Sequence, residues 1–257
     1  MRFSVLASGS SGNAVVVEAG SACVLLDCGL SYRQLRERMA PLGVTPQRIQ
    51  AVFIGHEHTD HVGGLDVFVR RHDVPVLATA GTAAALSSAR VAGTLVSGRE
   101  VRVGDLTVLP VATSHDAAES VGFVIEHDGC RVGVVTDTGI LTELLIERLS
   151  GCHALMLECN HDPDLLRYGP YPWPLKQRIA SRTGHLSNEQ ACEGLDRLAH
   201  GGLELVVGMH LSRENNRPEM VRRDLARALA GGRVHIDVAD QDRPVAVEVQ
   251  GPRRREG

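Results

Sequence analysis

Residues 55–64 read GHEHTDHVGG, which puts His56, His58, Asp60 and His61 within six consecutive positions. Imidazole and carboxylate groups suit Zn, Mn or Fe, and the lack of a neighbouring cysteine argues against a structural zinc site of the cysteine type. In an extended loop His56 and His58 point the same way and can chelate one ion. If the chain then turns into a helix, Asp60 and His61 can face a second ion nearby. Three more residues of the same chemistry follow apolar runs: His115 after LTVLPV, Asp137 after RVGVV and His210 after ELVVGM. A carboxylate such as Asp137 has two acceptor oxygens and can bridge two cations.

The elements that must position these residues are legible as short β-branched runs. FSVL, AVVVE, CVLLD, AVFI, VPVLA, LTVLPV, VGFVIE, RVGVVTD, HALMLE, ELVVGM, VHIDV and VAVEV each end in a turn former, as strands do. SYRQLRERMAPLG has helical spacing, with Leu35, Met39 and Leu42 on one face and a stop at Gly43. VGGLDVFVRRH, LTELLIERLS, SNEQACEGLDRLA and PEMVRRDLARALAGG read as further helices. This order predicts an α/β (α+β) fold, two sheets face to face with helices outside, a four-layer αββα sandwich. A single domain over 1–250 is expected, followed by a disordered basic tail over 251–257. The Pro-rich piece YGPYPWPLKQR (168–178) is expected to be a loop or insertion.

Composition narrows the function classes. The chain has 27 Lys and Arg against 31 Asp and Glu, so bulk charge gives no support to nucleic-acid binding, which would need a local basic patch. Arg167, Lys176, Arg178 and Arg182 offer such a strip, readable either as a phosphate-holding surface or as a solvated face. Aromatic residues at 3 % argue against an extended stacking platform. Tyr168, Tyr171 and Trp173 nevertheless share one segment, where they could stack on a terminal base or simply pack the loop. No signal peptide or membrane-length apolar run is read, so a cytoplasmic protein without a membrane partner is expected. The six cysteines form no CxxC pair and read as buried free thiols.

GHLSNEQA (184–191) supplies a histidine ahead of a helix that opens at Ser187. The free N–H groups of that helix start favour an anion, and His185 beside it could donate a proton to a phosphate oxygen. HEHTDH followed by His115, Asp137 and His210 resembles the metallo-β-lactamase superfamily, with Asp27 of CVLLDCG matching its acidic residue before the first helix. That resemblance implies one ion held by His56, His58 and His115, a second by Asp60, His61 and His210, and Asp137 between them. Asp137 stands where many lactamases use cysteine, and His58 where the diiron oxidases are usually acidic. Thioester hydrolases and phosphodiesterases remain.

SGSSGN, LLDCGLS, HDAAESVGF, TDTG, LECNHD, YGPYPWPLKQRI, GHLSN and HLSRENN are similar, together with HEHTDH, to the YycJ/WalJ group of bacterial exonucleases. The resemblance implies a 5′→3′ exonuclease on double-stranded DNA that uses two divalent ions, Mn or Zn, and in-line attack by a hydroxide between them. Asp60 or Asp27 would orient that hydroxide, with His185 at the leaving oxygen. Ser187, Asn188, Lys176, Arg178, Arg182, Asn215 and Asn216 are the candidate substrate contacts. Three alternatives stay open: an RNA-processing nuclease of the tRNA-3′-processing type, a glyoxalase-II-like thioester hydrolase, and a non-catalytic metal-binding regulator.

Overall fold

Apolar side chains on alternate strand positions face two different ways, and this sorts the molecule into layers. The computed structural model describes residues 1–86, 91–230 and 232–251. One seven-stranded sheet contains β1 (Arg2–Ala7), β2 (Ala14–Ala19), β3 (Ala22–Leu26), β4 (Ala51–Phe53), β5 (Val76–Thr79) and β6 (Val91–Leu95), in that order. The other contains β7 (Val101–Val103), β8 (Leu106–Ala112), β9 (Val121–His127), β10 (Cys130–Val135), β11 (Ala154–Glu158), β12 (Leu205–Met209) and β13 (His235–Val238). Strand β14 (Val245–Glu248) returns to pair with β1 and closes the first sheet's edge. Each sheet is half antiparallel and half parallel; β3 to β6 and β10 to β13 are the parallel runs.

The helices are α1 (Tyr32–Met39), α2 (Thr59–Val62), α3 (Leu65–His72), α4 (Ala80–Ala85), α5 (Glu143–Leu149), α6 (Pro163–Tyr168), α7 (Trp173–Ile179), α8 (Asn188–Leu198) and α9 (Pro218–Ala228). In β3, Ala22, Val24 and Leu26 join an apolar layer between the sheets with Phe53, Phe123 and Met156. Cys23 and Leu25 face the other way, against Leu35 and Met39 of α1 and Phe68 of α3. A third layer joins Val124, Leu155 and Val206 to Leu145 of α5, Leu195 of α8 and Leu225 of α9. Three apolar layers between four structural ones make the expected αββα sandwich. Continuous Val and Leu runs in the parallel strands follow from burial on both faces.

Several local expectations hold. Ser31 caps α1 in a capping box with Gln34, and Gly43 takes the left-handed φ of 71° that ends the helical segment. The expected strands all form. β6 and β7 were not foreseen: Gly93 dilutes the first, and the second has only three residues. The Pro-rich piece is not simply a loop, because Pro174 sits in the first turn of α7, where a missing N–H costs nothing. All six cysteines are free, five buried and Cys192 half-buried. No helix among the described residues is long and apolar enough to cross a membrane. Of the expected basic tail, residues 252–257 lie outside the described residues, and Gly251 is buried.

Candidate active site

Where the parallel strands end, polar residues gather. Asp27 follows β3, the HEHTDH loop follows β4, Asp137 follows β10, Glu158 closes β11 and His210 follows β12, while His115 comes across from the loop after β8. A cavity of about 230 Å³ is lined by His58, Asp60, His115, Asp137, His185 and His210, among others. Asp27, Asp137 and His210 have left-handed backbones, with φ of 57°, 56° and 56°. Such conformations cost a non-glycine residue about 1–3 kcal/mol and persist where the surroundings dictate them. Here they do: the Gly55 N–H donates to Asp27 Oδ1 (2.8 Å), and the His210 N–H donates to the Ser8 hydroxyl (2.8 Å). The Asn160 amide donates to the His210 carbonyl at 2.9 Å.

His56, His58 and His115 form one group. His56 Nε2 lies 3.0 Å from His58 Nδ1, which lies 3.3 Å from His115 Nε2. Ligands about 2.0–2.1 Å from a tetrahedral ion would be about 3.3–3.4 Å apart. His115 Nδ1 donates to the Gly184 carbonyl (3.1 Å), which leaves its Nε2 with a free lone pair facing the group. Burial and the neighbouring imidazoles push His56 far below the usual histidine range, and burial lowers His115 as well. Burial thus favours the neutral form of His56 and His115, the form a metal ion requires.

Asp60, His61, Asp137 and His210 form a second group, with one ligand atom from each within 4.8 Å of the others. His61 Nε2 is 3.0 Å from Asp137 Oδ2, and Asp137 Oδ1 is 3.9 Å from His115 Nε2, so Asp137 stands between the groups. Asp137 Oδ2 and His210 Nε2 are buried without a hydrogen-bond partner. Buried polar atoms are nearly always satisfied, so two such atoms within one cluster of metal-ligating side chains fit a bound cation. Burial would lower His210, but Asp137, Asp60 and Glu158 raise it to about 10. Asp27 and Asp137 likewise carry His61 well above its ordinary value against the cost of burial. The donor set, imidazole and carboxylate with no thiolate, suits divalent metal ions.

Two supporting residues were not foreseen. Glu158 is fully buried, accepts from the Thr138 N–H and from Leu186, and faces His185 Nδ1 at 2.8 Å and His210 Nδ1 at 3.0 Å. Against burial, those histidines hold it down to about 2. Its signal was present in the sequence: an acid closing an apolar run, as Asp137 and His210 follow theirs. Asn13 of SGSSGN donates its side-chain amide to Asp60 Oδ2 (3.2 Å), and its backbone N–H donates to the Asp60 carbonyl (2.7 Å). That approach requires Gly29, where a β-carbon would run into the Asp60 carbonyl.

The remaining candidates divide sharply. Asp60 lines the cavity, whereas Asp27 lies behind His61, its Oδ2 2.8 Å from His61 Nδ1; Asp27 orients a ring and does not reach the cavity wall. His185 lines the cavity with Nδ1 held by Glu158. Ser187, Asn188, Asn215 and Asn216 are corrections, being at most 5 % exposed. Ser187 caps α8 in a capping box with Gln190, and Asn188 and Asn216 exchange amide hydrogen bonds at 2.9 and 3.1 Å. Asn215 is held against Ser212. They build the framework under the loops. The Lys176 ammonium donates to the carbonyls of Arg167 (2.8 Å) and Gly169 (2.7 Å), tying α7 to the end of α6. Arg178 does line the cavity, paired with Asp116 at 2.6 Å, and Arg182 is exposed nearby in the chain.

The beta-lactamase superfamily domain matches residues 23–211. The chain is 31 % identical over 245 residues to exodeoxyribonuclease WalJ of Streptococcus pneumoniae serotype 2, covering 92 % of this chain and 91 % of that one. It is 31 % identical over 237 residues to exodeoxyribonuclease YycJ of Bacillus anthracis, covering 89 % of each. In fold it is similar to the metallo-beta-lactamase fold protein YhfI from Bacillus subtilis, with a TM-score of 0.75 at 15 % identity over 96 % of this chain and 99 % of that one. The strand-end cluster and this full-length kinship place the chain in the metallo-β-lactamase superfamily, as a member of its WalJ/YycJ family.

Proposed function

We propose that this chain is a dinuclear metal-dependent phosphodiesterase that removes nucleotides from the 5′ end of double-stranded DNA. The observation that carries the reading is the pair of ligand groups meeting at Asp137 on the floor of an open cavity, in a chain akin to exodeoxyribonucleases. His56, His58 and His115 would hold one divalent ion, Asp60, His61 and His210 the other, and Asp137 both. When bound, two such ions, Mn or Zn, acidify a water and neutralise charge on the attacked phosphate.

The chain's own residues supply orientation and protons. Asp60 is the cavity carboxylate placed to orient the attacking water, while Asn13 fixes its rotamer. Glu158 accepts a hydrogen bond from His185 Nδ1–H and raises the ring's affinity for protons against burial, which leaves the Nε2 proton to pass to the leaving oxygen. Arg178, oriented by Asp116, presents a cation at the rim to a backbone phosphate, a contact that does not read sequence.

The test is a duplex labelled separately at its 5′ and 3′ ends, incubated with metal-stripped protein resupplied with Mn or Zn. Stepwise loss from the 5′ end, abolished in Asp60→Ala and slowed in His185→Ala at unchanged metal content, is expected. Cleavage of RNA alone would move the substrate to the ribonuclease alternative, and full activity of Asp60→Ala would overturn the site assignment.

A further inference from the structure

Granted the nucleic-acid substrate proposed above, we infer that Tyr168 and Trp173 form a ledge on which bases at the strand terminus stack. The two are 75 % and 66 % exposed, among the few large hydrophobic side chains so placed in the described residues. They belong to one short segment with Tyr171, so the only tryptophan and two of the three tyrosines of the chain lie within six positions. Scattered exposed apolar residues need no explanation, but rings concentrated in one segment of an aromatic-poor chain do.

The same segment walls the cavity. Tyr171, Leu175, Arg178 and Ile179 line it, so Trp173 lies in the chain between two cavity residues. No residue of α7 is buried, so core packing does not hold the helix. It is fixed instead by polar ties at its base, Lys176 to the end of α6 and Arg178 to Asp116. Both rings stay mostly exposed to solvent. The Arg167 guanidinium lies 5.4 Å from the Tyr168 ring, and Arg178, on the same helix as Trp173, lines the cavity. Flat apolar faces beside positive charge, next to a metal-competent floor, match the bases and phosphates of a strand end.

Because Trp173 is the only tryptophan, its emission reports the ledge directly in the unmodified protein. The metal-loaded protein is titrated with phosphorothioate-linked oligonucleotides, blunt duplex, tailed duplex and single strand. Anisotropy of a dye at the far end records binding independently. Strong quenching of Trp173 emission in step with anisotropy is expected. Trp173→Ala should weaken binding roughly 5- to 150-fold, with Trp173→Phe recovering most of it. Saturated anisotropy with unchanged emission, or wild-type affinity in Trp173→Ala, would overturn the ledge while leaving the nuclease reading intact. Failure to bind any DNA or RNA strand would overturn both, and the end-labelled cleavage assay separates the two failures.

Discussion

The two ligand groups share one cavity but are built on opposite electrostatic principles. His56, His58 and His115 form an all-imidazole set in which burial keeps His56 and His115 neutral. Around His61 and His210 stand Asp27, Asp60, Asp137 and Glu158, and these carboxylates hold the two rings charged. The first group is ready for a cation at neutral pH, whereas the second must release protons to take one. Asp137 belongs to the second group and approaches the first, which sets the largest expected effect. Asp137→Ala should lower bound metal at both positions and reduce cleavage by more than the roughly 10²–10³-fold typical of one lost charge-stabilising group. His58→Ala should remove one metal equivalent and spare the other. Equal stoichiometry in the two variants, read by elemental analysis, would break the distinction.

Glu158 marks the same asymmetry in stability. It is buried against two histidines and two backbone N–H groups, whereas the carboxylate beside the all-imidazole group, Asp116 at 3.5 Å from His115, is partly exposed. Glu158→Ala strands those donors and should cost about 3–5 kcal/mol in denaturant unfolding of the metal-stripped protein. A loss under 1 kcal/mol would mean that water replaces the carboxylate at little cost.

The charged group also predicts a pH profile. His210 is raised from 6.5 to about 10, so its contribution is complete below pH 6.5 and lost as pH climbs towards 10. Glu158 is lowered from 4.5 to about 2, so its contribution is complete above pH 4.5 and lost as pH falls towards 2. Burial holds His56 and His115 below the ordinary histidine value, so they weaken the fold as pH falls below 6.5, and metal-stripped protein should therefore melt highest near pH 6.5. Restoring the metal should flatten the alkaline limb, because His210 then no longer keeps its second proton. A melting temperature constant from pH 6.5 to 10 in the stripped protein would contradict the charged state of His210.

The contrast also explains what could be read in advance. His56, His58, Asp60 and His61 stand out because one loop crowds them, and His115, Asp137 and His210 because each follows an apolar run. The sandwich was legible because alternation and helical spacing record which faces are buried. Glu158 was passed over because its partners, His185 and His210, come from segments 27 and 52 residues away. Ser187, Asn188, Asn215 and Asn216 were misread for the converse reason. Polar residues in loops look free in sequence, and only the assembled chain shows their hydrogen bonds turned inward.

The smallest expected effect tests that correction. Ser187 sits two positions from His185, yet its hydroxyl accepts from the Gln190 N–H at 3.2 Å while the Gln190 side chain accepts from the Ser187 N–H at 2.9 Å. Both polar groups are committed to starting α8, so Ser187→Ala should cost about 1 kcal/mol of stability, as cap removal usually does. Ser187→Gly should cost only a few tenths of a kcal/mol, because glycine tolerates the cap position. Cleavage per folded molecule should be the same in both variants and in the wild type. If turnover instead falls tenfold in both while stability follows the cap ranking, Ser187 leaves the cap to contact the scissile phosphate. The line between the cavity residues and their framework would then have to be redrawn through the start of α8.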